Sequence, residues 1–186
     1  MKHAIEKRPA NGILDYLSLA FTTWGVGYIP GAPGTYGSLI AVGIYLVISG
    51  VESSFALHGI ASGLRPEQIS AFHWALNSVL LITFCILGII ASERAISLLG
   101  NNDPKQAVVD ELMGQFITFA FIPFGLSWPF ILAGFLLFRL FDIWKPYPID
   151  DLQVLPGGLG VCADDIVAGV YAGICLAIGY AFTLML

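Results

Sequence analysis

The 186-residue chain is 57% hydrophobic and only 11% charged, with a mean hydropathy of +0.82. Soluble domains carry about 25% charged residues, so the composition excludes an ordinary soluble domain and points to an integral membrane protein whose first partner is the lipid bilayer. The net charge of −5 excludes broad nucleic-acid binding, which requires a basic surface.

Residues 1–11 hold Lys2, Lys7 and Arg8 and read as a flexible cytoplasmic tail. They lack the apolar stretch and small-residue cleavage site of a signal peptide. Ile13, Leu14, Leu17, Ala20, Phe21 and Trp24 recur at helical spacing. This predicts a short amphipathic helix that either lies on the membrane surface or packs over a bundle. Residues 25–38 are rich in Gly and Pro and read as a loop whose backbone comes close to something. Thr35 and Ser38 stand where they would cap the next helix, and exposed N–H groups at such a helix start are also an anion site.

Five apolar runs follow, at 39–51, 71–90, 108–124, 130–141 and 164–186. A polar loop is expected at 52–70, and turn-rich or Gly/Pro-containing segments at 101–105, 125–129 and 150–160. Counted from Leu39, Leu112 and Phe130, three of these runs hold about 12–13 residues against the roughly 20 of a full span, so they either extend into flanking residues or enter the membrane only partly. The pattern predicts an all-α, polytopic membrane helix bundle of about five apolar helices plus the N-terminal amphipathic helix, forming one membrane-embedded domain over 1–186. Cys85, Cys162 and Cys175 have no metal-ligand spacing and read as packing residues.

Placing the N-terminus in the cytoplasm leaves Lys2, Lys7, Arg8, Arg94, Lys105, Arg139 and Lys145 inside and only Arg65 outside, as the positive-inside rule requires. The same count puts four polar clusters on one side. Thr35 and Ser38 precede the first run, and Asp110 and Glu111 open the third. Arg139, Asp142 and Lys145 end the fourth, and Asp164 and Asp165 open the fifth. Arg139, Asp142 and Lys145 share a helix face at spacings of three, although Pro146 biases Lys145 out of the helix. Adjacent acids at a helix start also favour the helix dipole. Convergence of all four clusters at one interface nevertheless points to a site. Carboxylates suit a hard ion such as magnesium, Arg and Lys complement phosphate, and headgroup depth suggests a phospholipid.

Other phosphatase chemistries do not fit. No cysteine has an arginine six residues later, and no Asp-x-Asp-x-Thr pattern occurs. His3, His58 and His73 lie in the tail or on the opposite side and read as incidental.

Four segments resemble the phosphatidylglycerophosphatase A family of bacterial membrane lipid phosphatases. They are Pro30-Gly31-Ala32-Pro33-Gly34-Thr35-Tyr36-Gly37-Ser38, Val109-Asp110-Glu111-Leu112-Met113-Gly114, the stretch from Phe138 to Pro148, and Gly158 to Gly169. Their order and spacing resemble the family over about residues 20–186. The resemblance implies a magnesium-dependent enzyme of the bacterial inner membrane, its site facing the cytoplasm, that hydrolyses phosphatidylglycerophosphate to phosphatidylglycerol and phosphate. Asp110, Glu111, Asp164 and Asp165 would hold the metal, with Asp142 as an additional ligand or as a salt-bridge partner of Arg139 or Lys145. Arg139 and Lys145 would bind the phosphoryl oxygens, and Thr35 and Ser38 would complete the pocket. Attack by water and attack by an aspartate both remain compatible with these residues.

A small transporter or lipid-binding protein could use the same charges, but a pathway would distribute them through the membrane depth, and the middles of the runs hold almost none. A CDP-alcohol phosphotransferase would need an Asp-Gly-x-x-Ala-Arg signature, which is absent.

Overall fold

The computed structural model describes residues 5–123 and 125–185. Lys2 and His3 of the tail, and Phe124 and Leu186 at the ends of two apolar runs, lie outside these residues. The described residues form α-helices with no strands. In chain order these are α1 (Ile13–Thr23), α2 (Pro33–Ala61), α3 (Pro66–Leu99), α4 (Val109–Phe119), α5 (Trp128–Trp144), α6 (Ile149–Leu152) and α7 (Gly157–Thr183), with a 3-10 turn at Val26–Tyr28 between α1 and α2. The all-α membrane bundle read from the sequence is the observed architecture.

Among the described residues, α2, α3 and α7 are long and apolar enough to cross a membrane. Their outward side chains support this. Val47, Leu57, Val79, Ile82, Ile90 and Phe182 are all exposed, and an apolar surface of this extent belongs in lipid rather than water. By contrast, α5 has 17 residues and α4 only 11. At 1.5 Å per residue α4 advances about 16 Å, roughly half the hydrocarbon core. The chain enters along α4 and returns along α5, so both ends of this pair lie on the same side whether or not α4 crosses.

The helix ends differ from the sequence expectation in several places. The polar loop expected at 52–70 shrinks to residues 62–65, because α2 and α3 both run into it. Ser53 and Ser54 donate their hydroxyls back to the carbonyls of Ser49 and Gly50, at 2.8 and 3.0 Å, so these polar side chains are absorbed by the helix. Pro66 starts α3 at a position that has no intrahelical N–H to lose, and Arg65 N–H donates to Gln68 Oε1 at 3.0 Å. Pro33 likewise starts α2 early, which puts Thr35 and Ser38 inside the helix rather than at its cap. Residues 150–160 hold α6 and the first turn of α7, so Asp164 and Asp165 sit two turns into that helix rather than opening it. The helix of the third run stops at Phe119.

Residues 5–11 are not a free tail. Ile5 packs on the core beside Ile96 and Val109, and Arg8 N–H donates to Ser97 O at 3.0 Å. The Arg8 guanidinium donates to both oxygens of Asp15, at 2.6 and 2.9 Å, while Arg94 Nε donates to Asp15 Oδ1 at 2.8 Å and Asn11 N–H to Oδ2 at 2.9 Å. This node ties α1 to α3. Ile13, Leu14, Tyr16 and Leu17 face outward, so α1 both packs on the bundle and presents an apolar side to the membrane surface.

Lipid tails are as apolar as leucine, so helix association in a membrane rests on close packing rather than on water exclusion. The α4–α7 crossing shows how this is achieved. A Cβ on Gly169 would collide with the Gly114 backbone, and one on Gly114 would collide with the Phe138 ring and Asp165 O. Thr118 Oγ1, buried at the same crossing, donates to Gly114 O at 2.9 Å and to Gly169 O at 3.3 Å. The crossing holds the first turn of α4 against the acidic turn of α7.

Candidate active site

The site lies where the first turns of α2 and α4, the last turn of α5 and the second and third turns of α7 meet. Asp110 and Glu111 stand in the first turn of α4, where the helix N-terminus favours negative charge. Asp165 reaches them from α7. One carboxylate oxygen from each of Asp110, Glu111 and Asp165 can be chosen so that all three lie within 4.8 Å of one another. Asp110 and Asp165 are buried, at 8% and 5% exposure. Glu111 Oε2 and Asp165 Oδ1 have no hydrogen-bond partner among the described residues. Buried carboxylates at this spacing repel one another and are costly without a cation. Oxygen ligands in this number suit a hard divalent ion, so the residues present fit magnesium.

Asp164, expected with them as a metal ligand, is placed differently. Its Oδ2 accepts from Lys145 Nζ at 2.5 Å. Its Oδ1 is buried without a partner among the described residues. Lys145 lies one residue past α5 in the left-handed conformation, with φ 47°, and its N–H closes the helix on Phe141 O at 2.8 Å. The proline that follows therefore ends the helix as anticipated and turns the lysine toward α7.

Asp142 is paired with Arg139, Nη1 to Oδ2 at 2.7 Å, one turn apart on α5. The same Nη1 lies 3.5 Å from Ser38 Oγ, and Ser38 donates back to Gly34 O at 3.0 Å. Arg139 Nε is buried without a partner among the described residues. The α2 terminus comes very near: a Cβ on Gly34 would collide with the Glu111 carboxylate and crowd Arg139 Nη1. Gly34 and half-buried Thr35 are the second and third residues of α2, and their N–H groups belong to the helix's free donors. The site thus combines a carboxylate triad, a guanidinium, an ammonium and a helix N-terminus. That set can bind a phosphate together with a cation. All nine residues singled out in the sequence lie in or beside this one cluster, with Asp142 and Asp164 held in ion pairs.

Two polar side chains on or against the same helices were not singled out. Glu93 of α3 accepts from Gly158 N–H, in the first turn of α7, at 2.5 Å, and so fills that helix's anion site with a carboxylate from another helix. The only sequence signal was an acid near a Gly-Gly helix start distant along the chain. Gln115, one turn below Glu111, is fully buried with neither amide atom partnered among the described residues. A lone amide within an apolar run gave it little prominence.

No solved structure matches the chain. A provisionally named phosphatidylinositol-3-phosphatase of Bacteroides thetaiotaomicron is 35% identical over 158 residues, covering 84% of this chain and 89% of that protein. The phosphatidylglycerophosphatase A proteins of Escherichia coli and Haemophilus influenzae are 32% and 36% identical over 164 and 161 residues, covering 87% and 86% of this chain and 82% and 86% of theirs. The pattern of the family described as phosphatidylglycerophosphatase A matches residues 19–180, a stretch that takes in every element of the cluster, and the chain belongs to that family of membrane lipid phosphatases.

Proposed function

We propose that the protein is a magnesium-dependent phosphatidylglycerophosphate phosphatase of the bacterial inner membrane, with its site on the cytoplasmic side. The observation that supports this most is the Asp110, Glu111 and Asp165 triad within 4.8 Å, set beside Arg139 and the α2 N-terminus. Two relatives named for phosphatidylglycerophosphate support the substrate. The orientation rests on Lys7, Arg8, Arg94, Lys105, Arg139 and Lys145 lying toward the site end, while Arg65 sits in the loop at the other.

Asp110, Glu111 and Asp165 would hold the ion. When bound, the ion supplies charge to a phosphate oxygen and acidity to a coordinated water. The protein's own groups do the rest. Arg139 offers its unpartnered Nε to the terminal phosphate while Asp142 fixes the other edge of the guanidinium. The Gly34 and Thr35 N–H groups bind an adjacent oxygen, where Gly34 leaves the backbone bare. Lys145, held by Asp164, bears on the charge that gathers on the phosphoryl oxygens in the transition state. The P–O bond to the glycerol breaks, the glycerol oxygen leaves with a proton from water, and the oxygen of that water ends in inorganic phosphate.

A second reading takes phosphatidylinositol 3-phosphate as substrate, because the Bacteroides relative is named for it at similar identity. Both are phosphomonoesters on a lipid headgroup. The test measures phosphate release from each lipid in mixed micelles by purified protein, with magnesium and then with excess chelator. Release from phosphatidylglycerophosphate alone, abolished by chelator, is the expected result. Faster release from the inositol lipid would move the assignment to the second reading. Undiminished release in chelator would remove the metal.

A further inference from the structure

Because α4 stops at Phe119 while α2 and α3 continue, a space opens between the two long helices beside its last turn and beyond it. It is an apolar cavity of about 360 Å³ lined by Ile44, Ile48, Trp74, Leu81, Phe84 and Phe116 among others. Phe116 lies five residues past Glu111 and Ile44 ten past Gly34, so the cavity begins about 7 Å beneath the acidic cluster and extends beyond about 15 Å of depth. Its far end is polar. Asn77, on the lining, donates to Glu52 Oε1 at 2.5 Å. Glu52 is itself buried, at 7% exposure, one helical turn past Ile48. This bridge joins α2 to α3 and sets a polar pair against the deeper part of the cavity, where a hydrocarbon chain would not replace it.

Resting on the lipid-phosphatase reading, we propose that this cavity receives one acyl chain of the lipid substrate and that the Glu52–Asn77 bridge limits the chain length accommodated. Three observations single out this occupant. The lining is almost wholly apolar, the cavity runs away from the headgroup site along the membrane depth, and it lies within the part of the bundle whose outer faces are lipid-exposed. Bulk lipid would fill the space without affecting turnover, whereas a substrate chain couples its filling to KM.

The test compares dihexanoyl with dipalmitoyl phosphatidylglycerophosphate for the wild type, Ala120→Phe, Ser78→Phe and Asn77→Ala. Ala120 and Ser78 line the cavity away from the acidic cluster. Filling it is expected to lower kcat/KM for the long-chain lipid about tenfold, mostly through KM, with the short-chain lipid nearly unchanged. Asn77→Ala is expected to shift the preference toward longer chains. Equal losses on both lipids, or no change on either, would overturn the proposal. Wild-type protein inactive on both lipids would instead sink the phosphatase reading, and a binding measurement then decides the cavity by itself. A phosphatidylglycerophosphate with a diazirine at its chain end, photolysed in dodecyl maltoside micelles, should label peptides containing Ile48 and Trp74, and should lose that labelling in Ala120→Phe. Labelling confined to the outer faces of α5 and α7 would overturn the proposal whatever the activity.

Discussion

At the scale of single residues, the carboxylates divide into two kinds. Glu111 and Asp165 have oxygens left without partners beside Asp110, whereas Asp142 pairs with Arg139 and Asp164 gives one oxygen to Lys145 while its other stays without a partner among the described residues. Substituting Glu111→Gln or Asp165→Asn should therefore lower kcat at least about a hundredfold, the scale of several kcal/mol of lost transition-state charge stabilisation. Magnesium affinity, read by titrating activity or by calorimetry, should fall with it. Asp164→Asn frees Lys145 rather than removing a member of the triad. A smaller loss of about tenfold is expected, with magnesium affinity largely kept. An Asp164→Asn protein that needed far more magnesium would place Asp164 among the metal ligands, where the sequence reading had it. The residue types of the site were legible because charge is rare in this chain and each charged cluster ended or opened an apolar run. Their pairing was not, since an i,i+3 ion pair and a metal ligand look the same in one dimension.

Between elements, the geometry of the triad depends on how closely α4 meets α7. Gly169→Ala places a methyl group against the Gly114 backbone, which cannot yield as a flexible side chain can. It should cost about 1–3 kcal/mol through overpacking. It should also lower activity, because moving α7 moves Asp165 away from α4. Gly179→Ala, where nothing lies within 4 Å, is the matched control and should be neutral in thermal unfolding and in turnover. Comparable losses in both would mean that the crossing does not set the effect, since helix propensity by itself favours alanine over glycine. The apolar runs revealed the long helices but not their ends. Ser53, Ser54 and Glu52 read as loop by polarity, yet each finds a partner within or between helices. Proline marked the true starts at Pro33 and Pro66, a positional signal that outweighed composition. Gly34 was legible as part of a loop whose backbone comes close to something, but its neighbour was not, because the Glu111 side chain it accommodates is distant in the chain.

For the molecule as a whole, the bundle has a chemical end and an opposite, loop end, joined by lipid-facing helix sides. The first holds the ion pairs, and the second holds the 62–65 loop, His58 and His73. In a protein whose three cysteines are replaced, a cysteine introduced at Ser62 should react with an impermeant maleimide added outside spheroplasts. One at Asn101 should react only after lysis. The reverse pattern would invert the orientation and place the site on the outer face. The parity of the topology was legible despite the misjudged helix lengths, because α4 and α5 enter and return as a pair. The short span of α4 was legible in its run of about 12 residues; the cavity beneath its end was not, since an apolar run does not say which helices leave a space between them.

The Arg8–Asp15–Arg94 node makes the seating of α1 a matter of acidity. The hydrogen bonds from Arg8, then the Asn11 N–H, hold the Asp15 carboxyl far below the usual carboxylate range, with Arg94 adding to them. A carboxylate depressed in the folded state contributes stability that is complete above its unfolded value, about 3.9, and is lost as pH falls from there toward the folded value. Neutral and mildly acidic media should leave α1 docked. Below about pH 4 the node should weaken, with the Trp24 emission beside Phe21 and Phe84 reporting its release. Asp15→Asn should lower the Tm in micelles at pH 7 and flatten this acid dependence. A variant that kept the full acid transition would assign it to other carboxylates.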